Sequence, residues 1–205
     1  MPIGTIFSVY RRLSSIGGPC TINDFLQKGD QQFAAGYILY GSSTLLVYGT
    51  KRHSVNGFTL DNSLGEFYLT HPRMQLPVKG KNYTFDYRYL HGIDESLQRF
   101  LSSCNFSENG ADGAMSCRNT GCLVADMHRI FLHGGLFMYP SRKQKPRGKL
   151  RLMYECNPLS FLAELGGGIA SDGEKRVLEI EPQTVHDRTP FFIGSRELME
   201  SLAGS

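Results

Sequence analysis

The rhythm of apolar and polar positions divides this chain into two textures. Residues 4–11 crowd Ile6, Phe7, Val9 and Tyr10 together, the β-branched and aromatic composition of a strand. Residues 12–31 are polar and contain Gly17, Gly18 and Pro19, so they read as a loop in which Thr21-Ile22-Asn23-Asp24 nucleates one short turn. Over 33–49 no clean period of two survives. Phe33, Gly36, Tyr37, Tyr40, Thr44 and Val47 recur at spacings of three and four, which predicts a buried helix in spite of its glycines. SVNGFTLD and GEFYLTHP then read as the arms of a hairpin, joined by Asn62, Ser63, Leu64 and Gly65.

Pro72 and Pro77 bracket a linker-like segment, and beyond it strands and helices alternate. NYTFDY is a strand, DESLQRFLSSC a helix, AMSCRN a strand, CLVADMHRIFLHG a helix and GLFMYP a strand. LRLMYECNPLSFLAELGG follows as one long helix, RVLEIEP and PFFIGS as strands, and SRELMESLAG as a terminal helix. Such alternation predicts an α/β sheet covered by helices. Ser195 stands where an N-cap belongs, with Leu198 and Leu202 on one face, and Gly166–Gly168 stop the long helix. No internal repeat or low-complexity segment occurs.

Composition narrows the function classes. A chain of 205 residues buries a sizeable core as one large domain or two small ones. Its net charge of +3, without a run of Lys and Arg, argues against a nucleic-acid partner. No apolar stretch reaches membrane-spanning length, since Gly36, Gly41, Ser42 and Ser43 interrupt the longest, and no secretory signal opens the chain. Five cysteines, an odd number without a CxxC pair, fit a reduced, cytoplasmic compartment. The chain reaches strand-like sequence within its first six residues, as though it began inside a fold.

Chemistry concentrates in GKLRLMYECNP, which sets Lys149, Arg151 and Glu155 in an apolar run. On a helix, Arg151 and Glu155 are i,i+4 neighbours, and Pro158 removes one interior hydrogen bond. Spacing leaves two readings open: an exposed ion pair, or a carboxylate metal ligand beside a phosphate-binding cation. Tyr139 ends a strand, where it either stacks on a sugar ring or simply packs. Arg118 ends another strand just before a helix start, a place for an anion or for an ordinary surface arginine. His128 and His133 are five apart and His186 stands alone, so the histidines show no metal spacing. Cys122 and Cys156 read as small buried residues. The glycine-rich ELGGGIASDG follows a helix and precedes a strand, the reverse of a phosphate cradle, so it reads as a C-cap and turn.

Taken together, GTIFSVYRR, AAGYILYGSSTLLVYGT, VADMHR, GGLFMYP, GKLRLMYECNPLSFLAE and GGGIASDG resemble class I fructose-1,6-bisphosphatase over nearly the whole chain, most specifically over 148–173 and least over 82–116. The resemblance implies a layered sugar-phosphatase fold of the α/β class. Residues 1–76 would be the last strands and a helix of the N-terminal domain, and 77–205 the whole C-terminal domain. It implies Mg2+-dependent hydrolysis of the 1-phosphate of fructose 1,6-bisphosphate in gluconeogenesis, by a cytoplasmic homotetramer. Residue by residue, Glu155 corresponds to a metal ligand and Arg151 to a catalytic cation beside the reacting phosphate. Lys149 corresponds to the lysine on the sugar phosphate, and Tyr139 and Tyr89 to the tyrosines at the 6-phosphate. Arg118 corresponds to the arginine inserted into a neighbouring subunit's site, and Gly121, Cys122 and Leu123 to the backbone along the sugar.

The departures carry expectations too. The family's Asp-Pro-Leu-Asp-Gly-Ser-Ser motif, which holds most of the metal, is absent, as though Met1 were an internal methionine just after it. The AMP-binding helices of regulated members have no counterpart beyond Arg11, and the 12–31 loop, with Cys20 alone, is unlike the redox-regulated chloroplast form. Asp86 replaces an asparagine at the 6-phosphate and Asn119 replaces a tyrosine, which sets a negative charge beside a phosphate unless Arg88 compensates. The chain alone is therefore expected to turn over little or no substrate, and to aggregate through its open sheet. The alternatives are a sedoheptulose-bisphosphatase-like sugar phosphatase and a non-catalytic sugar-phosphate-binding paralogue.

Overall fold

A computed structural model of the protein describes residues 2–105 and 114–204; Met1, read above as internal, lies outside them. Strands β1 (Ile3–Tyr10), β2 (Gln32–Tyr40), β3 (Thr44–Thr50), β4 (His53–Asp61) and β5 (Glu66–Met74) form an antiparallel meander in sequence order. The rest of the chain builds β6 (Asn82–Thr84), α1 (Glu95–Asn105), β7 (Ser116–Cys117), α2 (Leu123–His133), β8 (Leu136–Tyr139), β9 (Leu150–Arg151), α3 (Asn157–Leu165), β10 (Ile169–Ser171), β11 (Arg188–Thr189), β12 (Phe191–Gly194) and α4 (Arg196–Ala203). A second sheet runs β10-β12-β8-β6-β7, and β9 pairs with β11 in a short ribbon.

Helices α2 and α3 lie between the two sheets. One core joins Ala35, Tyr37, Val47 and Val55 of the meander to Met127, Ile130 and Phe131 of α2, Leu159 and Leu162 of α3, and Phe137, Ala170, Phe191 and Ile193 of the second sheet. The far face of the second sheet packs Tyr83, Leu136 and Met138 against Leu97, Phe100 and Leu101 of α1 and Met199 of α4. The layers thus run sheet, helices, sheet, helices, an α/β architecture as expected. Among the described residues no helix is long and apolar enough to cross a membrane.

Four sequence expectations need correction. Residues 33–49 are not a helix but β2 and β3, turning at Gly41-Ser42-Ser43. Both faces of these strands are apolar, which erased the period of two and let a spacing of three and four stand in its place. Gly36 is in a strand, where a Cβ would lie 2.4 Å from the ring of Phe7. The long helix over 148–166 is composite: Leu150–Arg151 is strand, Leu152–Cys156 a π turn, and only Asn157–Leu165 is α-helical. Pro158 therefore sits in the first turn of α3, where its missing N–H costs nothing. RVLEIEP forms a 3-10 turn at Val177–Glu179 instead of a strand. Ser195 does precede α4, but its hydroxyl donates to Pro77 O and accepts from Gly135 N, tying three segments together in place of capping.

His128 on α2 is buried, with Nδ1 2.9 Å from the Tyr37 hydroxyl across the core. Burial, with His71 and His133 nearby, depresses its pKa to about 4. The imidazole charges more readily in the unfolded chain, so this contribution to stability is complete above about pH 6.5 and is lost as pH falls towards 4. A depression of that size is worth on the order of 3 kcal/mol. Thermal unfolding followed from pH 7 to pH 4 should show a falling Tm, with a flatter profile for His128→Asn, which cannot titrate.

Candidate functional site

Strands β6, β7 and β8 are mutually parallel, so their carboxyl ends share one edge of the second sheet. Ligands of open α/β sheets sit at such an edge. Asp86, Arg88 and Tyr89 follow β6, the 118–122 segment follows β7, and Tyr139 and Arg142 close β8. Lys149 reaches the same edge through β9, whose partner β11 leads directly into β12, where Phe191 pairs with Tyr139.

Here the side chains form a cluster of cations and phenols. Lys149 Nζ donates to the Tyr139 hydroxyl at 3.0 Å and lies 5.1 Å from its ring centroid. That hydrogen bond is the main cause of the raised Lys149 pKa, so the ammonium is charged throughout the physiological range. Arg142 stacks its guanidinium 3.6 Å over the Tyr89 ring, and Arg88 lies 5.6 Å from the same ring. Phe85, Asp86, Tyr89, Met138, Tyr139 and Arg142 surround a small notch between β6 and β8. Arg142 was not singled out in the sequence; its signal was only a lone cation three residues after Tyr139.

Asp86 stands beside this notch, but its charge is answered locally. Arg88 Nε donates to Oδ1 at 2.9 Å and an Nη of Arg88 to Oδ2 at 2.6 Å, a two-pronged clamp. Arg88 is the leading cause that holds the Asp86 carboxyl below its usual range, with Lys149 contributing more weakly. The compensation that the sequence left conditional on Arg88 is thus present as a geometric pair.

A second wall runs along β9 and the π turn. Glu155 is half-buried and does not pair with the guanidinium of Arg151. Its Oε2 accepts the backbone N–H of Arg151 at 2.6 Å. Arg151 Nε turns to the Tyr154 hydroxyl at 2.9 Å, which is 3.1 Å from His186 Nδ1. The i,i+4 ion pair expected on a regular helix therefore does not form, because Arg151 is on a strand and the following turn is wound wide. Arg188 donates to the carbonyl of Lys149, locking this wall to β11. Tyr154 and Arg188 were missed by the sequence reading, which set His186 aside as a lone histidine, and the fold brings all three here.

A hard dication needs six or more oxygen ligands. Glu155 offers one carboxylate with one oxygen already engaged, and no group of three His, Cys, Asp or Glu among the described residues gathers around a common point. These residues by themselves do not make a magnesium site.

Arg118 and the 119–123 segment form a separate loop beside the cluster. Arg118 is exposed, while its backbone is fixed: its N–H donates to Tyr83 O, and its carbonyl accepts from Thr84 Oγ1 and Arg129. Asn119 Oδ1 accepts from Gly121 N at 2.9 Å, and Thr120 Oγ1 from Cys122 N at 3.2 Å. Gly121 adopts φ +77°, a left-handed conformation that glycine takes without strain. Cys122 and Leu123 pack on the main core as α2 begins, and Thr120 N donates to the buried Asp126. Burial raises the Asp126 pKa in spite of its ion pair with Arg129 at 2.9 Å. The fold thus brings Lys149, Tyr139 and Tyr89 together, sets Arg151 and Glu155 next along the chain, and keeps Arg118, Gly121 and Cys122 on the adjoining loop, with Leu123 opening α2.

Two family models match this sequence. Residues 76–204 match the model described as fructose-1-6-bisphosphatase, C-terminal domain, and residues 1–72 match fructose-1-6-bisphosphatase, N-terminal domain.

Asp86→Asn should leave the fold intact and free Arg88 for a ligand. Removing one negative charge at contact distance is worth about 1 kcal/mol in water, roughly a fivefold tightening for inorganic phosphate in calorimetric titration.

Proposed function

Since this chain belongs to the fructose-1,6-bisphosphatase family, we propose that the edge formed by β6, β8 and β9 binds the 6-phosphate end of fructose 1,6-bisphosphate. The observation that carries this reading is the convergence of Arg142, Tyr139 and Tyr89 on one notch, with Lys149 bonded to the Tyr139 hydroxyl at its rim. Two cations and two phenols suit a dianionic phosphate, because charged donors make the stronger hydrogen bonds and the rings set their direction. Lys149 binds the phosphate and the tyrosyl hydroxyls orient it. Arg151, half-buried on β9 two residues after Lys149, faces the phosphate that is cleaved. The family domains support hydrolysis of a sugar bisphosphate as the general activity, with release of fructose 6-phosphate as the specific reaction.

The Mg2+ that such hydrolysis uses would polarise the phosphoryl group. Glu155 alone does not hold it, so carboxylates beyond those gathered at this wall must complete the site. On this reading the 205-residue chain binds product-like sugar phosphates and hydrolyses little. Residues 1–76 and 77–205 serve as the two family domains, in a cytoplasmic oligomer where the exposed Arg118 reaches a neighbouring subunit's ligand. Asp86 had favoured a non-catalytic paralogue, and its clamp by Arg88 removes much of that argument.

Calorimetry with fructose 6-phosphate tests the binding half. The chain should bind it, and Lys149→Ala should weaken binding roughly ten- to a hundredfold, the worth of a charge-assisted hydrogen bond. Absence of binding, or indifference to Lys149→Ala and Arg142→Ala, overturns the assignment. Phosphate release from fructose 1,6-bisphosphate and from sedoheptulose 1,7-bisphosphate, with Mg2+ and protein free of host phosphatase, tests the catalytic half. Substantial release of either would show that the metal ligands are already complete.

A further inference from the structure

The loop between β8 and β9 concentrates positive charge, part of which the notch does not use. Residues 141–149 read SRKQKPRGK, with five of the chain's 22 Lys and Arg and none of its 19 Asp and Glu. Gln144, Pro146 and Gly148 separate the cations, so they form no continuous run. The formal net charge is +3, so setting these five cations aside leaves −2 on the rest of the chain. The positive charge is therefore a local spot and not a property of the whole surface. Backbone contacts hold the spot in place. Arg142 N donates to Lys145 O at 3.2 Å and Lys145 N to Arg142 O at 2.8 Å, Gly148 N donates to Lys145 O at 3.0 Å, and Lys143 N to Gly92 O at 3.3 Å. Gly148, at φ +71°, passes so close to β11 that a Cβ would lie 2.4 Å from Thr189 O. Arg142 and Lys149 belong to the site described above, whereas Lys143, Lys145 and Arg147 are exposed and outside the notch. Among the described residues none of these three has a carboxylate within 4 Å. Asp187, which Arg147 influences through space, is taken up by the N–H groups of Gln183 and Thr184.

We propose that Lys143, Lys145 and Arg147 select the ligand of the adjoining edge by its charge, favouring a sugar bisphosphate over a sugar monophosphate without touching either. The inference rests on the reading of that edge as a sugar-phosphate site. Arg142 is the link between loop and notch. Its guanidinium stacks over Tyr89 at the notch, while its backbone pairs with Lys145 and leads into Lys143. The three free cations thus stand beside the notch at fixed positions. Exposed charges act over roughly 10 Å at 0.1 M salt and roughly 30 Å at 0.01 M. The potential they set up multiplies the affinity of an anion by a factor whose logarithm grows with the charge of the anion. Each phosphate carries roughly −1.5 to −2 at pH 7. A bisphosphate therefore has about double the charge of a monophosphate, and the factor is about squared. The contacts to the 6-phosphate are common to both ligands and discriminate against neither. Arg151 adds a contact to the second phosphate, and the loop adds a field that the second phosphate feels as well.

Calorimetry of the full chain in metal-free buffer with EDTA tests it, titrating fructose 6-phosphate and fructose 1,6-bisphosphate at about 0.01 M and about 0.3 M salt. Lys143→Gln, Lys145→Gln and Arg147→Gln together remove the three charges and keep polar side chains. At low salt this variant should bind the monophosphate roughly threefold more weakly and the bisphosphate roughly tenfold more weakly. At high salt it should match the unsubstituted chain for both ligands, which also shows that its fold is intact. A control with Lys28→Gln, Lys51→Gln and Arg52→Gln loses the same charge on exposed loops of the meander and should change neither affinity. Lys149→Ala should weaken both ligands at both salt concentrations. Indifference to Lys149→Ala, or no binding at all, overturns the reading of the edge itself. Where Lys149→Ala does weaken binding, three results overturn the charge inference alone: a loop variant equal to the parent at low salt, equal losses for the two ligands, or a loss that persists at high salt. An equal effect of the meander control overturns it as well, because net charge and not position would then decide.

Discussion

The constraint on which everything else hangs is the sharing of α2 and α3 by two sheets. Each helix buries apolar side chains both upward, against Tyr37, Val47 and Val55, and downward, against Phe137, Phe191 and Ile193. The second sheet has a further cluster with α1 and α4 on its far face, but the meander buries its apolar face in the shared core, so the meander and the α/β half form one packing unit although two family models divide the chain. The Tyr37–His128 hydrogen bond crosses this junction and depends on its staying dry. Gly4 and Gly49 permit the close approach. A Cβ at Gly4 would fall 2.4 Å from Val124, and one at Gly49 would be 3.0 Å from Leu165.

From that layering follows the site. Because α2 connects β7 to β8 and packs on the face towards the meander, β6, β7 and β8 run parallel and deliver their following loops to one edge. The loops differ in how firmly they are held. Arg142 is stacked on Tyr89 and Lys149 is bonded to Tyr139, so both cations are preorganised, and a ligand need not pay to order them. Arg88 is preorganised against binding, since its guanidinium is occupied by Asp86. The edge thus carries two available cations and one that a local carboxylate holds in reserve.

How much of this the sequence disclosed depended on whether a signal was local. The first strand, the 54–72 hairpin, α1, α2 and α4 were readable, since each carries its own period and end signals. β2 and β3 were misread as a helix because Ile38 and Leu46 face outward and are as apolar as their buried neighbours. Inside and outside cannot be told apart by hydrophobicity when both faces are apolar. Tyr139, Lys149, Arg151 and Glu155 were legible as candidates from composition and resemblance. Arg142, Tyr154, His186 and Arg188 were not: Arg142 meets Tyr89 because β8 pairs with β6, and Arg188 and His186 reach Lys149 and Tyr154 because β11 pairs with β9.

The π turn at Leu152–Cys156 joins these threads. A regular helix through 148–166 would have spent Glu155 on the guanidinium of Arg151 and left Pro158 disrupting its middle. Starting the winding at Leu152, with Arg151 still paired to Arg188, moves Pro158 into the first turn of α3. It also gives Glu155 a backbone donor where a cation would otherwise stand. Among the described residues, Glu155 bonds through one oxygen to an N–H, and the Arg151 guanidinium is tethered only through Nε to Tyr154. The distorted turn therefore leaves two opposite charges a few residues apart without letting them cancel, the condition a wall must meet if it is to hold both a cation and an anion.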